Sequence, residues 1–126
     1  MTQSLEDYLE AIGILDDEGP VRVTDIASRL GVSKPSAHAA LHALENQGFL
    51  TRERYGTAVL TESGRRQAAH IRERHETLAA FLRDVVGVGA ETAERDACRM
   101  EHLLSAETLD RIRGMVERAR HGGDPA

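Results

Sequence analysis

A chain of 126 residues, 40% hydrophobic and 29% charged, can bury a core and has room for one ordinary domain or two small ones. With no Trp and only 3% aromatic residues, it has little from which to build the stacking platforms that hold single-stranded nucleic acid. A net charge of −5 argues against indiscriminate nucleic-acid binding, the single Cys excludes an internal disulfide, and no apolar run suits a membrane span or signal core, so a cytoplasmic location is expected.

Leu5, Tyr8, Leu9, Ile12 and Leu15 recur at helical spacing behind Ser4, and Gly19-Pro20 ends the run, so a first helix is predicted with Ser4 as its cap. Asp7 lies three residues after Ser4, where a capping-box acid belongs, and Glu10 has simple solvation as its alternative role. Val21-Arg22-Val23 reads as a short extended piece. Thr24 is the expected cap of a short helix over 25–30, stopped by Gly31. Ser33 caps the next helix, with Pro35 in the first turn, where a missing N–H costs nothing. Ala37, Leu41 and Leu44 form its buried side, and Gly48 ends it. Two helices joined across Gly31-Val32-Ser33 spell a helix-turn-helix. Residues 49–55 and 57–61 read as two short strands meeting near Gly56, a wing whose Arg52 and Arg54 are placed to meet phosphates.

Charge agrees with this reading. Residues 1–21 carry six acidic side chains and no basic one, whereas residues 22–71 carry seven basic against four acidic, a local +3. A basic middle in an acidic chain is the footprint expected of a DNA reader, although a mixed solvated surface would look similar.

From about residue 64 to 86 a long linking helix is predicted, with Ala68, Ile71, Leu78, Phe81, Leu82 and Val85 on its apolar side and Gly87-Val88-Gly89 as its break. If the stretch around residue 98 is helical, Cys98, Glu101 and His102 stand at i, i+3 and i+4 and share a face. A thiolate, a carboxylate and an imidazole suit a first-row divalent ion, though the same spacing is how any helix covers a core. A last helix groups Leu109, Ile112, Met115, Val116 and Ala119 on one side, before a tail expected to fray from His121. Two short amphipathic helices cannot bury themselves alone, so pairing with a second subunit is expected. The predicted fold is mainly α: a winged helix-turn-helix over 1–63, followed by an α-helical metal-binding and dimerisation domain over 64–126.

The chain resembles the diphtheria-toxin-repressor family of metal-dependent transcriptional regulators over nearly its whole length. Four segments carry the likeness in order: Glu6-Asp7-Tyr8-Leu9-Glu10, Gly31-Val32-Ser33-Lys34-Pro35-Ser36, Arg74-His75-Glu76 and Ala97-Cys98-Arg99-Met100-Glu101-His102. The form resembled is the two-domain one of the manganese transport regulators, without the SH3-like third domain of longer members. This resemblance implies that Asp7, Glu10, His75, Cys98, Glu101 and His102 converge on divalent metal. It also implies that Ser33, Pro35, Ser36 and Ala39 read bases, with Lys34, His38, His42, Arg52 and Arg54 nearby; for His38 and His42 a solvent-facing role is the alternative. A homodimer binding a palindromic operator when loaded with metal, and repressing metal-uptake genes, is what such a protein would be.

Departures from the family pattern bear on the metal. Iron-type members resemble this chain at Cys98 but place Met at the position of Asp7, while manganese regulators share Asp7 and Glu10 but carry Glu at the position of Cys98. Hard carboxylates suit Mn(II) and the thiolate softer ions, so Mn(II) is expected first, with Fe(II) the close alternative. Ala79 replaces an ancillary-site Glu of iron-type members, and Glu94 is placed to compensate, leaving one or two ions per subunit open. The rival reading is a metal-independent winged-helix regulator in which the Cys98 face is only packing. An enzyme using Glu101 as base is disfavoured because no phosphate loop or nucleophile constellation accompanies it. No small organic substrate or membrane partner is expected.

Overall fold

The computed structural model describes residues 1–53 and 56–121, and the chain falls into two units, Met1–Ile71 and Arg72–Ala126. In the first unit, α1 spans Gln3–Asp16 and buries Tyr8, Leu9, Ala11 and Ile12. Its cap is Thr2, whose hydroxyl accepts from Leu5 N–H at 3.2 Å, and not the expected Ser4. The apolar stripe fixes the helix, but two hydroxyls precede Leu5 and the earlier one takes the capping position. Asp7 therefore does not occupy the capping-box position, which falls on Leu5.

Helix α2 (Val23–Leu30) also begins earlier than expected, with Arg22 instead of Thr24 at the cap. Asp25 explains the shift, because its carboxylate accepts from Arg22 N–H at 3.1 Å and ties down the entering backbone. Gly31 adopts φ 66°, and Val32 N–H reaches back to the Ala27 carbonyl at 3.0 Å, closing the tight turn. Helix α3 (Lys34–Asn46) opens as predicted, with Ser33 Oγ accepting from Ser36 N–H at 3.2 Å, and buries Ala37, Ala40, Leu41 and Leu44.

The wing is an antiparallel pair, β1 (Leu50–Arg52) and β2 (Ala58–Leu60), in the register Leu50↔Leu60, Thr51↔Val59 and Arg52↔Ala58. Val21 adds a bridge to Ala58, so the short extended piece before α2 joins the wing. Residues 54 and 55 lie outside the described residues, and with them the expected role of Arg54.

Helix α4 runs Glu62–Ala80. Its start is fastened to the turn just after α3, the second or recognition helix of the helix-turn-helix, through one side chain: the Thr61 hydroxyl donates to the Gly48 carbonyl at 2.7 Å and accepts from Gly64 N–H at 3.0 Å. Thr61 N–H also donates to the Phe49 carbonyl at 3.0 Å. A Cβ on Gly64 would stand 1.9 Å from that same carbonyl oxygen, so only glycine fits. Ala68 and Ile71 of α4 belong to the first core, with Leu9, Ile12, Ile26, Leu41, Leu44, Leu50 and Leu60.

The second unit has its own core of Leu78, Ala79, Ala80, Leu82, Ala93, Ala97, Leu109, Ile112 and Val116. Here the predicted single long helix changes character: residues Phe81–Val86 form a π-helical turn, closed by Gly87 at φ 89° with its N–H on the Leu82 carbonyl at 2.9 Å. The wider turn rotates later residues off the α-helical stripe. Val85, expected on the apolar side, is accordingly exposed. Helix α5 (Ala90–Met100) buries only Ala93 and Ala97, while α6 (Ala106–Arg120) buries Leu109, Ile112 and Val116. Met115, also expected on the buried side of that last helix, is exposed, and Ala119 is half-buried. Residues 122–126, which include most of the expected frayed tail, lie outside the described residues.

Candidate metal centre and DNA-reading face

Two stretches of the second unit bring charge together. His75 comes from α4, and Glu101 and His102 follow directly on the last residue of α5. Glu101 is 1% exposed. One of its oxygens, Oε2, lies 3.1 Å from His75 Nδ1, and the other, Oε1, lies 3.2 Å from His102 Nε2. A buried carboxylate is costly unless it is paired or bound to a cation. Here the pairing is incomplete: Glu101 Oε1 accepts no hydrogen bond among the described residues, because the imidazole beside it is close but not aligned to donate.

His75 is held at both ends of its ring, with Nδ1 toward Glu101 and Nε2 2.6 Å from Glu94 Oε1. The hydrogen bond to Glu101 raises its pKa from 6.5 to about 9; burial opposes the rise and Glu94 adds to it. In the metal-free molecule near neutral pH the ring is therefore a cation with a proton for each carboxylate.

These residues fit a divalent ion. Imidazole and carboxylate donors suit first-row transition ions. Two donor atoms 3.1 Å apart, as in His75 Nδ1 and Glu101 Oε2, also match neighbouring ligands meeting at a right angle on one ion at roughly 2.2 Å each. Cys98 lies one turn earlier on α5 and is exposed. Asp7 and Glu10 belong to the first unit, where their spacing of three puts both on one face of α1, each half-buried.

The DNA-reading residues expected on α3 and its cap share one property. Ser33, Lys34, Pro35, Ser36, His38, Ala39 and His42 are all exposed, while Ala37, Ala40, Leu41 and Leu44 turn inward. Arg52 is half-buried, its guanidinium folded back with Nη2 donating to the Gly56 carbonyl at 3.4 Å. Sequence reasoning missed Thr61 and Gly64, which fasten the recognition helix to α4. Their signal was available as a hydroxyl three residues ahead of a glycine at a strand-to-helix junction.

A helix-turn-helix with a wing, joined in one chain to a cluster of buried carboxylate and imidazole donors, defines a metal-responsive DNA-binding regulator. Comparison with known proteins gives the family. Residues 1–58 match the N-terminal DNA-binding domain of iron-dependent repressors, and residues 61–125 match their metal-binding and dimerisation domain. The chain belongs to this family and is a metal-dependent, DNA-binding transcriptional repressor; it binds divalent metal, and its partners are DNA and a second copy of itself.

Among its relatives, an HTH-type transcriptional regulator of Methanocaldococcus jannaschii is 37% identical over 121 residues, covering 94% of this chain and 96% of the relative. The HTH-type transcriptional regulator MntR of Geobacillus kaustophilus is 40% identical over 117 residues, covering 92% and 82%. A solved manganese-dependent transcriptional repressor in complex with manganese is 30% identical with a TM-score of 0.82, over 90% of this chain and 52% of that one. The chain thus spans about half the length of that solved protein. These relatives are regulators and not enzymes, and the metal-independent reading is not favoured. No helix among the described residues is long and apolar enough to cross a membrane.

Proposed function

We propose that this regulator responds to Mn(II), with Fe(II) as the alternative, and that it binds a palindromic operator of metal-uptake genes as a homodimer. The ligand set in this reading is Asp7, Glu10, His75, Cys98, Glu101 and His102. Ser33, Lys34, Pro35, Ser36, His38, Ala39, His42, Arg52 and Arg54 form the DNA-reading set. The observation that carries the metal half is Glu101, a buried carboxylate between two imidazoles with one oxygen short of a hydrogen bond. A bound divalent ion would supply the positive charge that the buried Glu101 carboxylate lacks. His75 must give up its Nδ1 proton to serve as a ligand, which makes loading proton-linked. Asp7 and Glu10 lie on a helix of the reading unit, so shared ligation would restrict how the recognition helices are presented, and a two-fold dimer needs them about 34 Å apart. The relative named MntR and the solved manganese-dependent repressor favour Mn(II). Cys98 is the residue that favours a softer ion.

The test is operator binding titrated anaerobically with Mn(II), Fe(II), Co(II) and Zn(II), with Glu101→Ala as control. Metal-stimulated binding that Glu101→Ala abolishes while the dimer persists is the expected result. Binding indifferent to chelation would end the proposal.

A further inference from the structure

Among the described residues, Glu94 is the carboxylate paired with His75 that the ligand set leaves unused. Its side chain is 65% exposed, at the rim, whereas Glu101 on the other side of the ring is fully buried. The two carboxylates thus address opposite nitrogens of one imidazole, Glu94 at Nε2 and Glu101 at Nδ1. A neutral imidazole that ligates a metal offers a lone pair at one nitrogen and keeps N–H at the other, and the partner of the N–H decides which is which. The Glu94 oxygen lies at hydrogen-bonding distance from Nε2 as an acceptor, so Glu94 keeps the proton on that nitrogen. The lone pair then falls on Nδ1, the nitrogen that faces Glu101.

We propose that Glu94 is a positioning residue for metal loading: it selects the Nε2–H tautomer of His75, holds the ring's orientation, and does not itself bind the ion. The inference rests on the reading of His75 and Glu101 as ligands. It assigns Glu94 a different task from direct ligation of a second ion, and the two tasks predict different stoichiometries.

The experiment uses the full chain with Mn(II) alone, measuring affinity and ions per subunit by calorimetry and electron paramagnetic resonance. In parallel, imidazole ¹⁵N spectra are recorded with diamagnetic Zn(II). Glu94→Ala is expected to weaken Mn(II) binding about tenfold or more with the number of ions unchanged, as loss of an outer partner does. Glu94→Gln, whose amide oxygen still accepts from Nε2–H, is expected to restore most of the affinity. The wild-type Zn(II) complex should show the Nε2–H tautomer, and Glu94→Ala should blur it. Loss of one ion per subunit in Glu94→Ala, or failure of Glu94→Gln to improve on alanine, would overturn the proposal. His75→Ala separates the two levels. If it leaves Mn(II) affinity intact, the ligand assignment has failed; if it abolishes binding while Glu94→Ala stays within about twofold of wild type, only the role of Glu94 has failed.

Discussion

The two units bury their chains in different ways. Among the described residues, the largest side chains with almost no exposure are Leu9, Ile12, Val21, Ile26, Leu41, Leu44, Leu50 and Ile71 in the first unit, against Leu78 and the charged Glu101 in the second. The second core instead leans on Ala79, Ala80, Ala93 and Ala97, and it leaves Val85, Val86, Leu103 and Met115 exposed. The reading unit is thus completed by its own residues. The second unit is the sparser of the two, and its exposed apolar residues are where the second copy is expected to seat, as its buried carboxylate is where the proposed ion would.

The contrast can be tested from its strongest point. Gly64→Ala drives a methyl into the Phe49 carbonyl and should cost the first unit about 3 kcal/mol, at the upper end for overpacking, measured by urea unfolding. An unchanged midpoint would mean that the junction yields easily.

The second test is pH. Because the His75 pKa is raised to about 9, its ion pairs stabilise the metal-free protein fully below pH 6.5, and that contribution is lost as pH rises through about 9. Mn(II) competes with one proton over the same window, so affinity should rise by about tenfold per pH unit between those limits, with buffer-dependent heats in calorimetry. A flat profile would remove His75 from the site.

Charges placed on the exposed apolar residues should weaken self-association. The pair Val86→Asp and Leu103→Asp is expected to raise the dimer dissociation constant about tenfold in sedimentation, with the first unit's unfolding untouched. The smallest expected effect is Thr61→Val, which keeps shape and removes two hydrogen bonds for about 1 kcal/mol, and Thr61→Ser should regain most of it.

What could be read from residues alone follows from what local chemistry encodes. The helices of the reader were legible because Leu9, Ile12, Leu41 and Leu44 repeat at helical spacing, and Ser33 with Pro35 marks the start of α3 unambiguously. Caps were less legible where several hydroxyls or carboxylates compete, as at Thr2 against Ser4 and at Asp25 against Thr24. The π-helical turn at Phe81–Val86 was not legible, since no residue type encodes the wider hydrogen-bond ring and its trace is only the displaced Val85. In the site, the adjacency of Glu101 and His102 follows from sequence. The meeting of His75 with both Glu94 and Glu101 depends on how α4 and α5 are set side by side within their unit, which no local pattern determines.

The first core closes with Ile71, and every residue it buries precedes the segment that carries Glu101 and His102. Domains fold as units, N-terminal first, while a chain is still being made. A ribosome therefore releases every residue of the first core before Glu101 and His102 exist, so the reading unit can fold while the buried carboxylate of the proposed metal centre has yet to be made.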